Sequence, residues 1–323
     1  MDLLIEGTAW GMGDQVWQLP YVRALAPKYG RVFMMTPWPQ LYHFIPNLVF
    51  LHPDDEGSKF SGWDYFREQI DLSSNLFVRR DDIRQLLEAA AKTRFGAGAA
   101  QGMTDIQRIC PSMSPSTTMD ITISLKDEWI AAVADWLRRN APQPRVLIHP
   151  PRNRPGILYA RDPVPRYFKR ILDRHRKHVS FFDVARVADN VEPAPELEGV
   201  PVLDTRGAPG AFWAAVAAAD AVICSPAHAL PLALAFKRPT LALFGGCHWP
   251  NLLIDPRIQH LDYFAVAPEP FCGCGQTMHD CHKAIAPERI DSAMDSLLSA
   301  MDGHKWPPSF MAAASSSTQA STS

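Results

Sequence analysis

No stretch of this sequence is long and apolar enough to cross a membrane. The most apolar segment, residues 212–244, is interrupted by Asp220, Pro226, His228, Pro231, Lys237 and Arg238. It falls short of the ~20 apolar residues a spanning helix needs. A basic leader ahead of an apolar run is also missing, because Leu3-Leu4-Ile5 is too short for one. The expected location is cytoplasmic, with any membrane contact peripheral, at the inner membrane. Charge of one sign is scarce: the formal net charge is −2, which provides no whole-molecule attraction to nucleic acid or anionic lipid. Cysteine is scarce too, with six in 323 residues, so a secreted disulfide framework is excluded. What is present, 47% hydrophobic and 20% charged residues, describes a globular chain whose length suits two domains.

The chain reads as two successive β-α-β rhythms. The first opens with an apolar run at Leu3–Ile5. Gly7, Gly11, Gly13 and Asp14 follow, and then an apolar-periodic segment through Val16, Leu19, Val22 and Leu25. That pattern predicts strand, glycine-rich turn and helix. Strands are expected at 31–36 and 47–52, with a short helix between them at 40–45. Helices are expected at 81–94 and 124–139, the second with Ser124 as its cap and Asp127 in the capping-box place. Residues 96–118 read as a long loop. After Asn140–Pro144 the rhythm restarts. Strands are expected at 146–149, 179–182, 200–203, 221–224 and 240–244, with helices at 164–175, 209–219 and 287–301. The expected domains are therefore 1–142 and 143–306, both Rossmann-like, with a low-complexity, disordered tail over 307–323.

Four clusters carry residues suited to chemistry. At Gly11-Met12-Gly13-Asp14 the glycines bare the backbone, and a carboxylate there can serve as a general base toward an acceptor hydroxyl. A first-turn helix acid is the plainer use. A dinucleotide fingerprint needs a third glycine where Val16 stands, and an acid after the second strand where Met34-Met35-Thr36 stands. Between Arg145 and Lys177 there are ten Lys or Arg and two acids. Arg152, Arg154 and Arg161 follow a strand's carboxyl end, the edge at which open α/β sheets hold ligands, and so read as diphosphate-binding candidates. The turn Ser225-Pro226-Ala227-His228 is phosphate-sized, and Ser225 and His228 are candidates there. Near the C-terminus Cys272, Cys274 and Cys281 stand in a C-x-C-x₆-C pattern, with His279, His282, Cys247 and His248 within reach as a fourth ligand. A structural Zn or Fe, free thiols and a Cys274–Cys281 disulfide all remain open there.

Gly13-Asp14 with Pro20 and Leu25 resembles the opening of the heptosyltransferases, the family of lipopolysaccharide ADP-heptose transferases. Lys237–Gly245 is similar to that family's basic turn, Pro, apolar strand and Phe-Gly. Arg161-Asp162-Pro163-Val164-Pro165 is similar to its Lys and Trp-Pro segment, and Ile285-Ala286-Pro287-Glu288-Arg289-Ile290 to its closing-helix entry. The family's Asp-Thr-Gly-x-x-His stretch is not kept, because Pro226–Pro231 stands in its place. The resemblance implies GT-B architecture, two Rossmann-like doubly wound domains facing a cleft. It implies Asp14 as base, with Gly11 and Gly13 on the acceptor side. Arg161 takes the place of a donor-phosphate lysine, and the cysteine loop falls where some relatives hold an iron through four cysteines.

The implied activity is an inverting, metal-independent glycosyltransferase that requires no cofactor. It moves a heptose or hexose from a nucleotide-diphosphate sugar to a glycan or lipopolysaccharide-type acceptor. The basic 145–177 stretch keeps open DNA as acceptor, in a base-modifying glycosyltransferase. The unkept Asp and His keep open a catalytically degenerate nucleotide-binding relative.

Overall fold

The computed structural model describes residues 2–6, 12–36, 38–51, 77–78, 90–94, 120–151, 160–185, 197–206, 208–246, 262–274 and 279–301. The chain divides into two compact units, Met1–Thr122 and Ile123–Ser323. The expected tail at 307–323 lies outside the described residues.

The first unit holds a parallel sheet of β1 (Asp2–Glu6), β2 (Val32–Met35), β3 (Leu48–Leu51), β4 (Phe77–Val78) and β5 (Ala90–Arg94). Their order is β4-β3-β2-β1-β5. Helix α1 (Met12–Leu25) links β1 to β2. The helix expected at 81–94 is corrected at its end: Ala90–Arg94 is a strand, pairing parallel to β1 from Asp2↔Ala90 to Glu6↔Arg94. Pairing to a sheet edge outweighs the helical preference of Ala and Lys there. Residues 81–89 lie outside the described residues. The short helix expected at 40–45 is a single 3₁₀ turn, Pro39–Tyr42.

The second unit contains β6 (Arg145–His149), β7 (Ser180–Ala185), β8 (Val202–Asp204), β9 (Ala221–Cys224), β10 (Thr240–Leu243) and β11 (Tyr263–Val266). All its pairs are parallel, in the order β11-β10-β9-β6-β7-β8. Read from β8, that is the doubly wound 3-2-1-4-5-6 order. Residues of β6, β9 and β10 are buried throughout, as strands covered on both faces require.

Alternate residues feed two helical layers. Val146, Ile148, Ile223, Leu241 and Leu243 share a core with Phe168, Ile171 and Leu172 of α3 (Arg166–His175). Ile290, Met294 and Leu297 of α6 (Pro287–Met301) join it. Toward the other face lie α2 (Asp127–Asn140), α4 (Pro209–Ala218) and α5 (Ala229–Ala235). Trp129 of α2 meets Trp213 of α4 edge to face at 5.5 Å, and Trp136 lies 6.3 Å from Phe182 of β7. Gly210 has no room for a Cβ, which would run into the Trp129 ring.

Helix α2, which the expected boundary at 142 assigns to the first half, therefore finds its packing partners in the second unit. Its start is also corrected. The residue before it is Lys126, extended and without a side-chain cap. Ser124 lies two residues too early, and Asp127 and Glu128 complement the helix dipole instead.

Candidate functional site

Both sheets reverse their winding beside their first strand: β1 has β2 on one side and β5 on the other, and β6 has β7 and β9. Ligands of open α/β sheets sit at the carboxyl edge of such switch points. The candidate residues are distributed over these two edges.

In the first unit α1 begins at Met12, so Gly13 and Asp14 are the second and third residues of its first turn. The expected turn glycine at 13 is thus helical. Gly11 lies outside the described residues. The turn is anchored by groups that sequence reading did not single out. Gln15 Oε1 accepts from the Thr36 hydroxyl at 2.9 Å. The Tyr42 hydroxyl lies 2.9 Å from the same oxygen and 3.0 Å from the Gln15 carbonyl. Thr36 follows the end of β2, and its Oγ1 accepts from the Trp38 N–H at 3.0 Å. Gln15, Thr36 and Tyr42 are all buried. Burial holds the Tyr42 phenol far above its ordinary pKa, so it stays a neutral donor. A satisfied network of this kind fixes the backbone that carries Asp14.

In the second unit the switch point lies between β6 and β9. His149 ends β6 and Cys224 ends β9, in register with each other. His149 Nδ1 donates to Asp183 Oδ1 of β7 at 2.8 Å. His149 Nε2 faces His228 Nε2 at 3.2 Å. All three residues are buried. Phe212 of α4 walls the pair, its ring centroid 6.0 Å from His149 and 5.1 Å from His228. Ser225, also buried, has no hydrogen-bond partner for its hydroxyl among the described residues. The structure thus brings the predicted Ser225 and His228 together and adds His149 and Asp183. Helix α5 after this turn has only seven residues, so side chains rather than a long helix dipole must supply the charge. The added pair had two sequence signals: an Asp inside the apolar run Ser180–Ala185, and a His closing an apolar strand.

Arg161 belongs to a neighbouring loop, pinned by its backbone. Gly245 N–H donates to the Arg161 carbonyl at 2.7 Å, and Gly246 N–H to Ala160 at 3.0 Å. Lys283 Nζ donates to the carbonyls of Ala160 at 3.0 Å and Asp162 at 2.7 Å. A Cβ on Gly245 would collide with the carbonyls of Ala160 and Asp162. The loop is therefore fixed at the end of β10, while the Arg161 side chain remains 43% exposed. Arg152 and Arg154 lie outside the described residues. On α3 the cations are engaged on the surface: Lys169 pairs with Asp173, and Arg170 and Arg174 both hold Asp291. Hydrogen bonding from Arg170 lowers the Asp291 carboxyl below its ordinary pKa. These pairs leave less charge for tracking a nucleic-acid backbone.

The cysteine loop closes against the same strand end, with Gly273 N–H donating to the Gly246 carbonyl at 2.8 Å. The ligand atoms of Cys272, Cys274, His279 and Cys281 lie within 4.8 Å of one another. The Cys274 and Cys281 sulfurs are 3.4 Å apart and not disulfide-bonded, and His279 Nδ1 lies 3.2 Å from Cys281 Sγ and 3.6 Å from Cys272 Sγ. A tetrahedral site with bonds of about 2.1–2.3 Å places its ligand atoms about 3.5–3.8 Å apart; the three separations above are close to that, and any wider one, up to 4.8 Å, would have to close around an ion. Burial and the neighbouring thiols push the Cys281 thiol up to about 12. The nitrogen of His282 turns to the Glu269 carbonyl at 3.1 Å, and Cys247 and His248 lie outside the described residues.

No protein-family model and no curated protein matches the chain. Solved structures do. A glycosyl transferase family 9 protein from Veillonella parvula is 13% identical, with a TM-score of 0.59 over 92% of this chain and 96% of that one. ADP-heptose LPS heptosyltransferase II of Escherichia coli is 12% identical, with a TM-score of 0.57 over 94% and 100%. The iron-containing dodecameric glycosyltransferase TibC of enterotoxigenic E. coli is 12% identical, with a TM-score of 0.59 over 93% and 76%. At these identities the likeness establishes the fold alone, mixed α/β with parallel sheets. No helix among the described residues is long and apolar enough to cross a membrane.

Proposed function

We propose that the chain is a glycosyltransferase that moves a heptose or hexose from a nucleotide-diphosphate sugar to an acceptor hydroxyl, with inversion. The observation that carries this reading is the buried His149–Asp183–His228 cluster with Ser225 at the switch point of the second sheet. Such a polar group at that edge has no use in packing and suits an anionic ligand. The similar solved structures, two of them named for heptose transfer, favour a sugar nucleotide over other nucleotides.

In this reading Asp14 removes the proton of the acceptor hydroxyl, and the oxygen attacks the anomeric carbon from the face opposite the diphosphate. The C–O bond to the diphosphate breaks as the new one forms. Arg161, with Arg152 and Arg154, neutralises the leaving diphosphate, and His228 and Ser225 hydrogen-bond to it. Cationic side chains carry that charge, so the step needs no divalent cation. The acceptor in this reading is a glycan of lipopolysaccharide type, which places the enzyme at the cytoplasmic face of the inner membrane. A panel of nucleotide sugars tests the proposal. One donor should raise Tm by several degrees and be consumed with release of nucleoside diphosphate. If no member of the panel does either, the proposal fails.

Cys272, Cys274, His279 and Cys281 form, in the same reading, a structural metal site for Zn or Fe. When bound, the ion would staple the cysteine loop to the end of β10. Elemental analysis of the purified protein should find about one equivalent of either metal, and chelation should lower Tm. Iron would also show thiolate-to-metal absorption in the visible range. Metal-free protein that takes up neither ion would remove the site from the proposal.

A further inference from the structure

Lys283 reaches the Arg161 loop from a segment that is itself held on two sides. The Tyr167 hydroxyl of α3 donates to the Lys283 carbonyl at 3.0 Å and accepts from the Ile285 N–H at 2.8 Å. Tyr167 and Ile285 are both buried in the core that α3 and α6 share. On the other side the Glu269 N–H donates to the Ala284 carbonyl at 3.3 Å, and the His282 ring meets the Glu269 carbonyl at 3.1 Å. The backbone of Lys283 is thus fixed independently of the loop that its side chain touches.

From that anchor the ammonium spans Arg161. It donates to the carbonyl of the residue before, Ala160, at 3.0 Å and to that of the residue after, Asp162, at 2.7 Å. The Arg161 carbonyl between them accepts from the Gly245 N–H at 2.7 Å. An ammonium has several donors on one centre, so it can bridge two peptide units, and its charge makes each bond stronger than a neutral donor would.

The clamp matters because Arg161 has a rival for its charge. Its Nε lies 3.8 Å from Oδ1 of the buried Asp162 carboxylate, beyond hydrogen-bond length. Rotation of the peptide units that flank this pair of residues would shorten the gap. The carbonyls of those units are the two that Lys283 holds. With the clamp gone the guanidinium would settle onto the carboxylate, and a ligand would have to draw it away.

We propose that Lys283 is a positioning residue for the donor: by clamping the peptide units around Arg161 it holds the guanidinium ready for a diphosphate and off Asp162. The proposal rests on the reading that Arg161 binds the diphosphate of a sugar nucleotide. Lys283 acts through Arg161 and not on the ligand. A lysine that merely fastened the loop would have a different signature, since its loss would weaken binding by the same factor whatever stood at position 161. A lysine that acts through Arg161 loses its effect on binding once the guanidinium is removed, because members of one network couple whereas independent residues add.

The test is a double-mutant cycle on the full-length protein. Kd is measured by calorimetry with whichever of ADP, UDP and GDP binds the wild type most tightly. Lys283→Met retains a long unbranched stem and removes the charge. Alone it should raise Kd by about 3–30-fold, and by no more than Arg161→Ala does. In the Arg161→Ala background it should change Kd by less than about twofold. Should the methionine variant fail to fold, Lys283→Gln, which keeps an amide donor for one of the carbonyls, goes through the same cycle with a smaller first step. An unchanged Kd in the single variant, or an equal rise in both backgrounds, overturns the positioning role and leaves the glycosyltransferase reading standing. If Arg161→Ala itself binds as the wild type does, the proposal falls together with the role of Arg161. Absence of binding by all three nucleotides overturns the donor reading as well.

Discussion

Asp14→Asn is expected to lower turnover by about 10²–10⁴-fold, the range associated with loss of a general base, with donor affinity nearly unchanged. The substitution suits the position. Asp14 is the third residue of α1, and Asn preserves its size and is well tolerated at a helix start. What is lost is the capacity to take a proton. Gln15, Thr36 and Tyr42 are buried, and the network by which they tie α1 to the end of β2 is untouched by the substitution, so the backbone keeps its place. The measurement is kcat and KM for transfer, with Kd for the nucleoside diphosphate determined separately. A fall in kcat at constant Kd identifies a group that acts in the transition state. Retained kcat with lowered Tm would instead make Asp14 a first-turn helix acid and nothing more.

The elements that could be read from sequence are those whose pattern is local. Ala221–Cys224 and Pro287–Met301 have the expected bounds. Helix α4 has its expected start at Pro209, although it has no polar face to give it a period, because α2 and α5 cover it and leave it buried all round. Strand β5 was hidden because Ala-Ala-Lys-Thr-Arg prefers helix in isolation. Only the open edge of β1 makes it a strand, and no window of sequence contains that edge. The candidate site divides in the same way. Arg161, Ser225 and His228 were visible because each follows directly on a recognisable strand or resembles a known segment. His149 and Asp183 were not visible as a pair, being separated by 34 positions, and only the parallel order β9-β6-β7 brings them together. Lys283 was equally silent: a lone lysine before a helix reads as solvated, yet its ammonium holds two carbonyls of the Arg161 loop.

That loop makes Arg161→Ala the second large effect, a loss of about 10–100-fold in affinity for the nucleoside diphosphate. The figure follows from the 1.5–3 kcal/mol that a hydrogen bond to a charged group contributes. Two roles compete for this side chain. Its Nε lies 3.8 Å from the buried Asp162 carboxylate, so it could be retained as a partner for that charge. An arginine kept only for that purpose would lose stability on truncation and leave ligand binding alone. The local anchoring argues for the ligand. The backbone on either side is already held by Gly245, Gly246 and Lys283, so the loop does not depend on the guanidinium for its position, and the guanidinium is 43% exposed. Arg161→Ala should therefore change Kd much more than Tm. Arg161→Lys separates charge from geometry. It keeps the cation but loses the planar fork that can grip two phosphate oxygens, so its affinity should fall between those of wild type and the alanine variant. If both variants bind as wild type does while Tm drops, Arg161 belongs to Asp162, and the diphosphate must be held by the cluster around His228 without it.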